Sequence, residues 1–160
     1  MTLPVVAAGH FSSVPTTASP TACARRVVVV DDNEDLREMI DLLLTANGHE
    51  VGTAADGPSG VDMIVARSPD VAFVDLGLPG FDGYEVARRV RSQRTRVRLV
   101  AVSGYGQPED RDRALAEGFD EHLTKPVRIE QLDAVLRALP GSATAKETAE
   151  AVGDGKPRRR

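Results

Sequence analysis

The sequence predicts an α/β protein, a parallel sheet wound on both faces by helices. Three observations carry that prediction. Strand-like and helix-like segments alternate five times between residues 25 and 140. The clearest strand segments are continuous apolar runs rather than alternating ones, as strands covered on both faces require. The loops are short, and a parallel pair needs a crossover, which is right-handed, so strict alternation reduces to a doubly wound sheet.

The elements follow in order. Val27–Val30 is a run of four β-branched residues ended by Asp31-Asp32. Leu36, Met39, Ile40, Leu43 and Leu44 recur at i, i+3, i+4, i+7, i+8 and mark one face of a helix. Gly48 stands where a left-handed C-terminal cap is wanted. Val51–Ala55 is the second strand. Pro58 suits the first turn of a helix whose inner face takes Val61, Ile64 and Val65. Val71–Val74 is the third strand and ends on Asp75. The loop LGLPGFDG leads to a helix with Val86, Ala87 and Val90 inward, Asp82-Gly83 reading as its turn and cap. Leu99–Val102 is the fourth strand. Gln107-Pro108-Glu109-Asp110 puts proline and acids at a helix start, where the dipole favours them, and that helix stops near Gly118. Glu121–Thr124, the fifth strand, has the weakest pattern. Ile129, Leu132, Val135, Leu136 and Leu139 form an amphipathic last helix closed by Pro140-Gly141.

Composition narrows the function. A chain of 160 residues holds one domain with a real core. A net charge of −4 and 4% aromatics, with no basic stripe, exclude a general nucleic-acid binder. Cys23, the sole cysteine, supports neither a disulfide framework nor a metal cluster and fits a reducing compartment. No apolar run reaches the length of a membrane span, and residues 1–24 lack the Lys or Arg of a signal peptide, so a cytoplasmic protein is expected. Residues 1–24 read as a disordered leader and 141–160 as a disordered tail, leaving 25–140 as the domain.

In an open parallel sheet, ligands bind outside the carboxyl ends of the strands. Those ends carry Asp31-Asp32, Asp75, Ser103 and Lys125-Pro126. Two carboxylates about 5 Å apart repel by roughly 3 kcal/mol at an effective dielectric of about 20. A hard divalent cation between them and Asp75 makes the pair tolerable; Mg²⁺ takes such oxygen ligands, and the lack of a His or Cys cluster argues against zinc or copper. Lys125 is the only lysine between residues 25 and 140. It offers a compact point charge where arginine would offer a planar fork.

The segments VVVVDDNEDLREMI, VAFVDLGLPGFDGYEVAR, LVAVSGYG and GFDEHLTKPV, in that order, resemble the receiver domains of two-component response regulators. The resemblance covers about residues 25–140. It implies a flavodoxin-like sheet of order 2-1-3-4-5. It implies that Asp75 accepts a phosphoryl group from the phosphohistidine of a sensor histidine kinase or histidine phosphotransfer protein. Mg²⁺ would be held by Asp31 or Asp32, or both through water, with Asp75 and the backbone carbonyl of Gly77. Lys125 would pair with one phosphoryl oxygen, Ser103 would hydrogen-bond another, and the Lys125–Pro126 peptide would be cis. Such a protein is not an enzyme in the ordinary sense, since it catalyses only its own phosphorylation and dephosphorylation. An acyl phosphate is labile, which suits a timed signal.

Two positions depart from the family pattern. His122 stands where many receivers carry the Tyr or Phe of a rotameric switch, so Ser103 and His122 are the expected switch pair. Val127 replaces a common Phe. Gly77 and Tyr105 flank the access route. The expectation is therefore a phosphorelay receiver with no output domain of its own. It would signal to a downstream protein through the face of the fourth helix, fifth strand and last helix. The last helix also offers a homodimer face, and no direct nucleic-acid contact is expected. Two alternatives stand beside it. One is a degenerate receiver that binds partners without phosphorylation. The other is a phosphohydrolase using Asp75 as nucleophile, which predicts Asp-x-Asp where this chain has Asp75-Leu76-Gly77.

Overall fold

Each apolar run becomes a strand of one parallel sheet in the computed structural model, which describes residues 24–140. The expectations for the leader through residue 23 and for the tail lie outside those residues. The strands are β1 (Arg26–Val30), β2 (Glu50–Ala54), β3 (Val71–Asp75), β4 (Arg98–Ser103) and β5 (Glu121–Thr124). The helices are α1 (Glu34–Ala46), α2 (Gly57–Arg67), α3 (Gly83–Ser92), α4 (Pro108–Ala116) and α5 (Ile129–Ala138). All neighbours pair in parallel, in the order β2-β1-β3-β4-β5. The chain adds β2 on one side of β1 and β3 on the other, so the carboxyl ends of β1 and β3 flank the switch point.

The four valines divide by the two-residue period of a strand. Val28 and Val30 join Ala72, Val74, Leu99 and Ala101 under α2, α3 and α4, where Ile64, Val86, Val90 and Ala114 meet them. Val27 and Val29 join Val71, Phe73 and Val100 on the other face, against Ile40 and Leu44 of α1 and Leu132, Val135 and Leu136 of α5. Each Val, Leu, Ile or Phe side chain among them contributes about 1.5–3 kcal/mol when fully buried. Two cores, one on each face, explain why these strands read as unbroken apolar runs.

Three side chains differ from the sequence expectation. Met39 and Leu43 of α1 are 43% and 38% exposed, and Val65 of α2 is 38% exposed. At 100° per residue the α1 stripe spans an arc of about 140°. The sheet covers only the part centred on Ile40 and Leu44. Strand β2 also begins one residue earlier than expected, at Glu50.

Helix starts follow local chemistry. The side chains of Asn33, Asp56 and Asp82 accept from the backbone N–H groups of Leu36, Ser59 and Glu85. Gly48 has φ +92° just past α1, the left-handed conformation expected of it. Gly60 lets α2 lie close on β1: a Cβ there would stand 2.7 Å from both Val30 methyl carbons. Among the described residues no helix is long and apolar enough to cross a membrane.

Candidate phosphoacceptor site

Strand β1 runs straight into Asp31, which is buried, while Asp32 is exposed. The Asp31 N–H continues the ladder to the Ala54 carbonyl at 3.1 Å. Its Oδ1 accepts from the Asn33 N–H at 2.8 Å, and Arg37 Nη1 donates to its carbonyl at 2.8 Å. The start of α1 thus holds this carboxylate in place. Asp75, the last residue of β3, is also buried, and its Oδ1 accepts from the Gly77 N–H at 2.9 Å. Oxygens of Asp31, Asp32 and Asp75 lie within 4.8 Å of one another, the spacing a single cation needs.

Lys125 closes the arrangement. Its Nζ lies 3.1 Å from Asp31 Oδ2 and 3.4 Å from Asp75 Oδ2. Its backbone N–H donates to the Ser103 carbonyl at 2.8 Å, and the Lys125–Pro126 peptide is cis, as the resemblance implied. The ends of β1, β3, β4 and β5 thereby place three carboxylates, the buried Ser103 hydroxyl and an ammonium on one edge.

Residues 27–137 match the family model described as the response regulator receiver domain. This chain belongs to that family. The receiver is 38% identical over 122 residues to the transcriptional regulatory protein TcrA of Mycobacterium tuberculosis, an alignment covering 74% of this chain and 48% of that protein. It is 35% identical over 127 residues to the response regulator MprA of Mycobacterium avium, covering 79% and 56%. The chain therefore spans about half the length of these relatives. Among solved structures it is similar to the receiver domain of the Mycobacterium tuberculosis response regulator NarL, with TM-score 0.66, 36% identity and coverage of 71% and 94%. The Vibrio cholerae chemotaxis protein CheY4 aligns with TM-score 0.69, 28% identity and coverage of 73% and 99%.

The electrostatics of the receiver's site follow from its burial. Desolvation raises the Asp75 carboxyl above the ordinary carboxylate range, and the neighbouring Asp31 adds to the rise. The Gly77 N–H and Lys125 oppose it without cancelling it. Burial pulls the Lys125 ammonium down, but the two aspartates outweigh it and its pKa is raised. The lysine is therefore held charged between the carboxylates.

All the expected residues lie at this edge. Gly77 meets Asp75 through its N–H, and a Cβ there would come 3.5 Å from Asp75 Oδ1. Tyr105 is 74% exposed, and its carbonyl accepts from the Ser103 hydroxyl at 2.6 Å. The half-buried His122 ring reaches Ser103, with Nε2 at 2.8 Å from Oγ. His122 pairs with Ala101, and Ala101 and Ser103 share one face of β4, so the ring lies diagonally beside the hydroxyl.

Two contributors escaped the sequence reading, Asn33 and Arg37. Asn33 was findable as the cap-forming residue next to the acid pair. Arg37 had no signal beyond its place one turn into α1.

Proposed function

We propose that this receiver is a phosphoacceptor switch that takes a phosphoryl group onto Asp75 from a phosphohistidine and signals through protein contacts. The observation that carries the reading is the Lys125 ammonium seated within 3.4 Å of two buried carboxylates at the switch point. In the transfer, an Asp75 oxygen forms the new bond to phosphorus as the N–P bond breaks, its electron pair passing to the departing imidazole. Positioning and charge stabilisation do most of this work. Lys125 is within one side-chain movement of a phosphoryl oxygen on Asp75, and Ser103 supplies a hydroxyl donor for a second.

The donor set fits Mg²⁺. All three side-chain ligands are carboxylates, with one exposed to admit water, and Asp31, Asp32, Asp75 and the Gly77 carbonyl would hold the ion. Bound there, it would supply positive charge against the phosphoryl oxygens. Ser103 and His122 form the switch pair. The face of α4, β5 and α5 is the output surface to a downstream protein and a candidate homodimer contact, with no direct nucleic-acid contact. The chain works in the cytoplasm with a sensor histidine kinase or histidine phosphotransfer protein as donor. Asp75-Leu76-Gly77 lacks the second acid of a phosphohydrolase, which disfavours that alternative.

Incubation with acetyl phosphate and Mg²⁺, followed by intact-mass spectrometry, tests the reading. Wild type gains one phosphate and Asp75→Asn gains none. No gain in wild type, while a control receiver is modified, supports the degenerate alternative. Multiple turnover of a generic phosphate ester supports the hydrolase.

A further inference from the structure

A hydroxyl has one proton, and the Ser103 hydroxyl has two close neighbours. The Tyr105 carbonyl, 2.6 Å away, can only accept, so the proton points there. The Ser103 oxygen must then accept from His122 Nε2, 2.8 Å away, and that nitrogen must carry a hydrogen. We infer that His122 is a hydrogen-bond donor that positions and polarises the Ser103 hydroxyl for the phosphoryl group, so that its part in the switch pair is played by its N–H and not by its bulk alone. This rests on Asp75 being the phosphoacceptor and Ser103 a phosphoryl ligand.

The chemistry follows from lone-pair counting. When a phosphoryl group draws the Ser103 hydroxyl away from Tyr105, the oxygen still has a lone pair for the His122 N–H. The chain Nε2–H to Oγ–H to phosphoryl oxygen is then continuous, and each bond strengthens the next. The last bond is charge-assisted, so donation by His122 is worth more with the phosphoryl group present than without it. The Tyr105 carbonyl is released at the same moment, in the exposed segment Gly104–Gly106. A phenylalanine ring fills the same space and has no N–H to give. Burial pulls the His122 imidazole below its ordinary pKa, as does Arg111, against Asp110. A neutral ring has a single N–H, and here it is committed to Ser103.

Two measurements test this. A ¹⁵N–¹H correlation of the histidine rings, with His122 assigned through bonds from its own backbone resonances, reads the tautomer of the wild-type chain. Protonated Nε2 is expected, and protonated Nδ1 overturns the inference even if every variant misfolds. Phosphorylation by acetyl phosphate and Mg²⁺ is then compared across variants. His122→Phe is expected to slow it about three- to tenfold. His122→Gln, which restores an N–H near the same place, should come within about twofold of wild type. In a Ser103→Ala background, His122→Phe should cost nothing further. If Ser103→Ala is slow while His122→Phe matches wild type, this inference fails and the parent reading stands. If wild type is not phosphorylated on Asp75, the parent reading fails and takes this inference with it.

Discussion

Asp75 is held against its own ionisation. It is buried, a second carboxylate lies beside it, and its pKa is raised above the unfolded-state value of about 3.9. The native state therefore holds more protons than the unfolded state between that value and the raised one. Stability contributed by this group falls as pH rises through that window, and above it the penalty is fully present. Asp75→Asn removes the charge with little change in shape. In the absence of divalent cations it should raise the melting temperature at pH 7 by roughly 3–6 °C, corresponding to about 1 kcal/mol. The gain should vanish below about pH 4, where the native carboxyl is protonated. Coincident melting curves at pH 7 would show that Lys125 already neutralises the site completely. That Asp75 and Lys125 would meet at one edge was legible from strand ends alone. The Ser103–His122 bond was not, because it depends on the β4–β5 register, which sets His122 beside Ala101.

Helix α3 is where an element acts on the site. Its first residue, Gly83, lies so close to β3 that a Cβ would stand 2.5 Å from the Asp75 carbonyl oxygen and 2.9 Å from Leu76 Cα. Helix propensity favours Ala over Gly by about 1 kcal/mol. Here the steric effect should win, because the obstructing atoms are backbone and cannot turn aside. Gly83→Ala is expected to destabilise by about 1–3 kcal/mol in urea unfolding and to slow phosphorylation by displacing Asp75. A neutral or stabilised variant would mean that α3 slides freely on β3. The elements themselves were readable wherever burial is two-sided, as in β1, β3 and β4, whose unbroken runs serve two cores. Legibility was lowest in β5, an edge strand whose residues are only partly covered. It was also imperfect in α1, where five apolar positions cover a wider arc than the sheet can bury, leaving Met39 and Leu43 exposed.

At the scale of the molecule, parallel winding sends every strand's carboxyl end to one edge, and the sequence places its least compatible charges there. Two of the three carboxylates are buried and one lysine serves both, so the folded state carries an unbalanced negative charge at the switch point. A cation that binds only this assembled edge must stabilise the whole fold, because the unfolded chain separates Asp31 from Asp75 by 44 residues. Mg²⁺ at about a hundred times its dissociation constant should add about 2.7 kcal/mol, a rise of roughly 10 °C in melting temperature. Asp32 is exposed, so Asp32→Asn should leave the ion-free melting temperature within about 2 °C of wild type while removing most of the Mg²⁺-dependent rise. Differential scanning calorimetry with and without MgCl₂ separates the two effects. A rise that survives intact in Asp32→Asn and in Asp31→Asn would place the ion elsewhere on the surface and leave the acid pair without the cation that makes its repulsion tolerable.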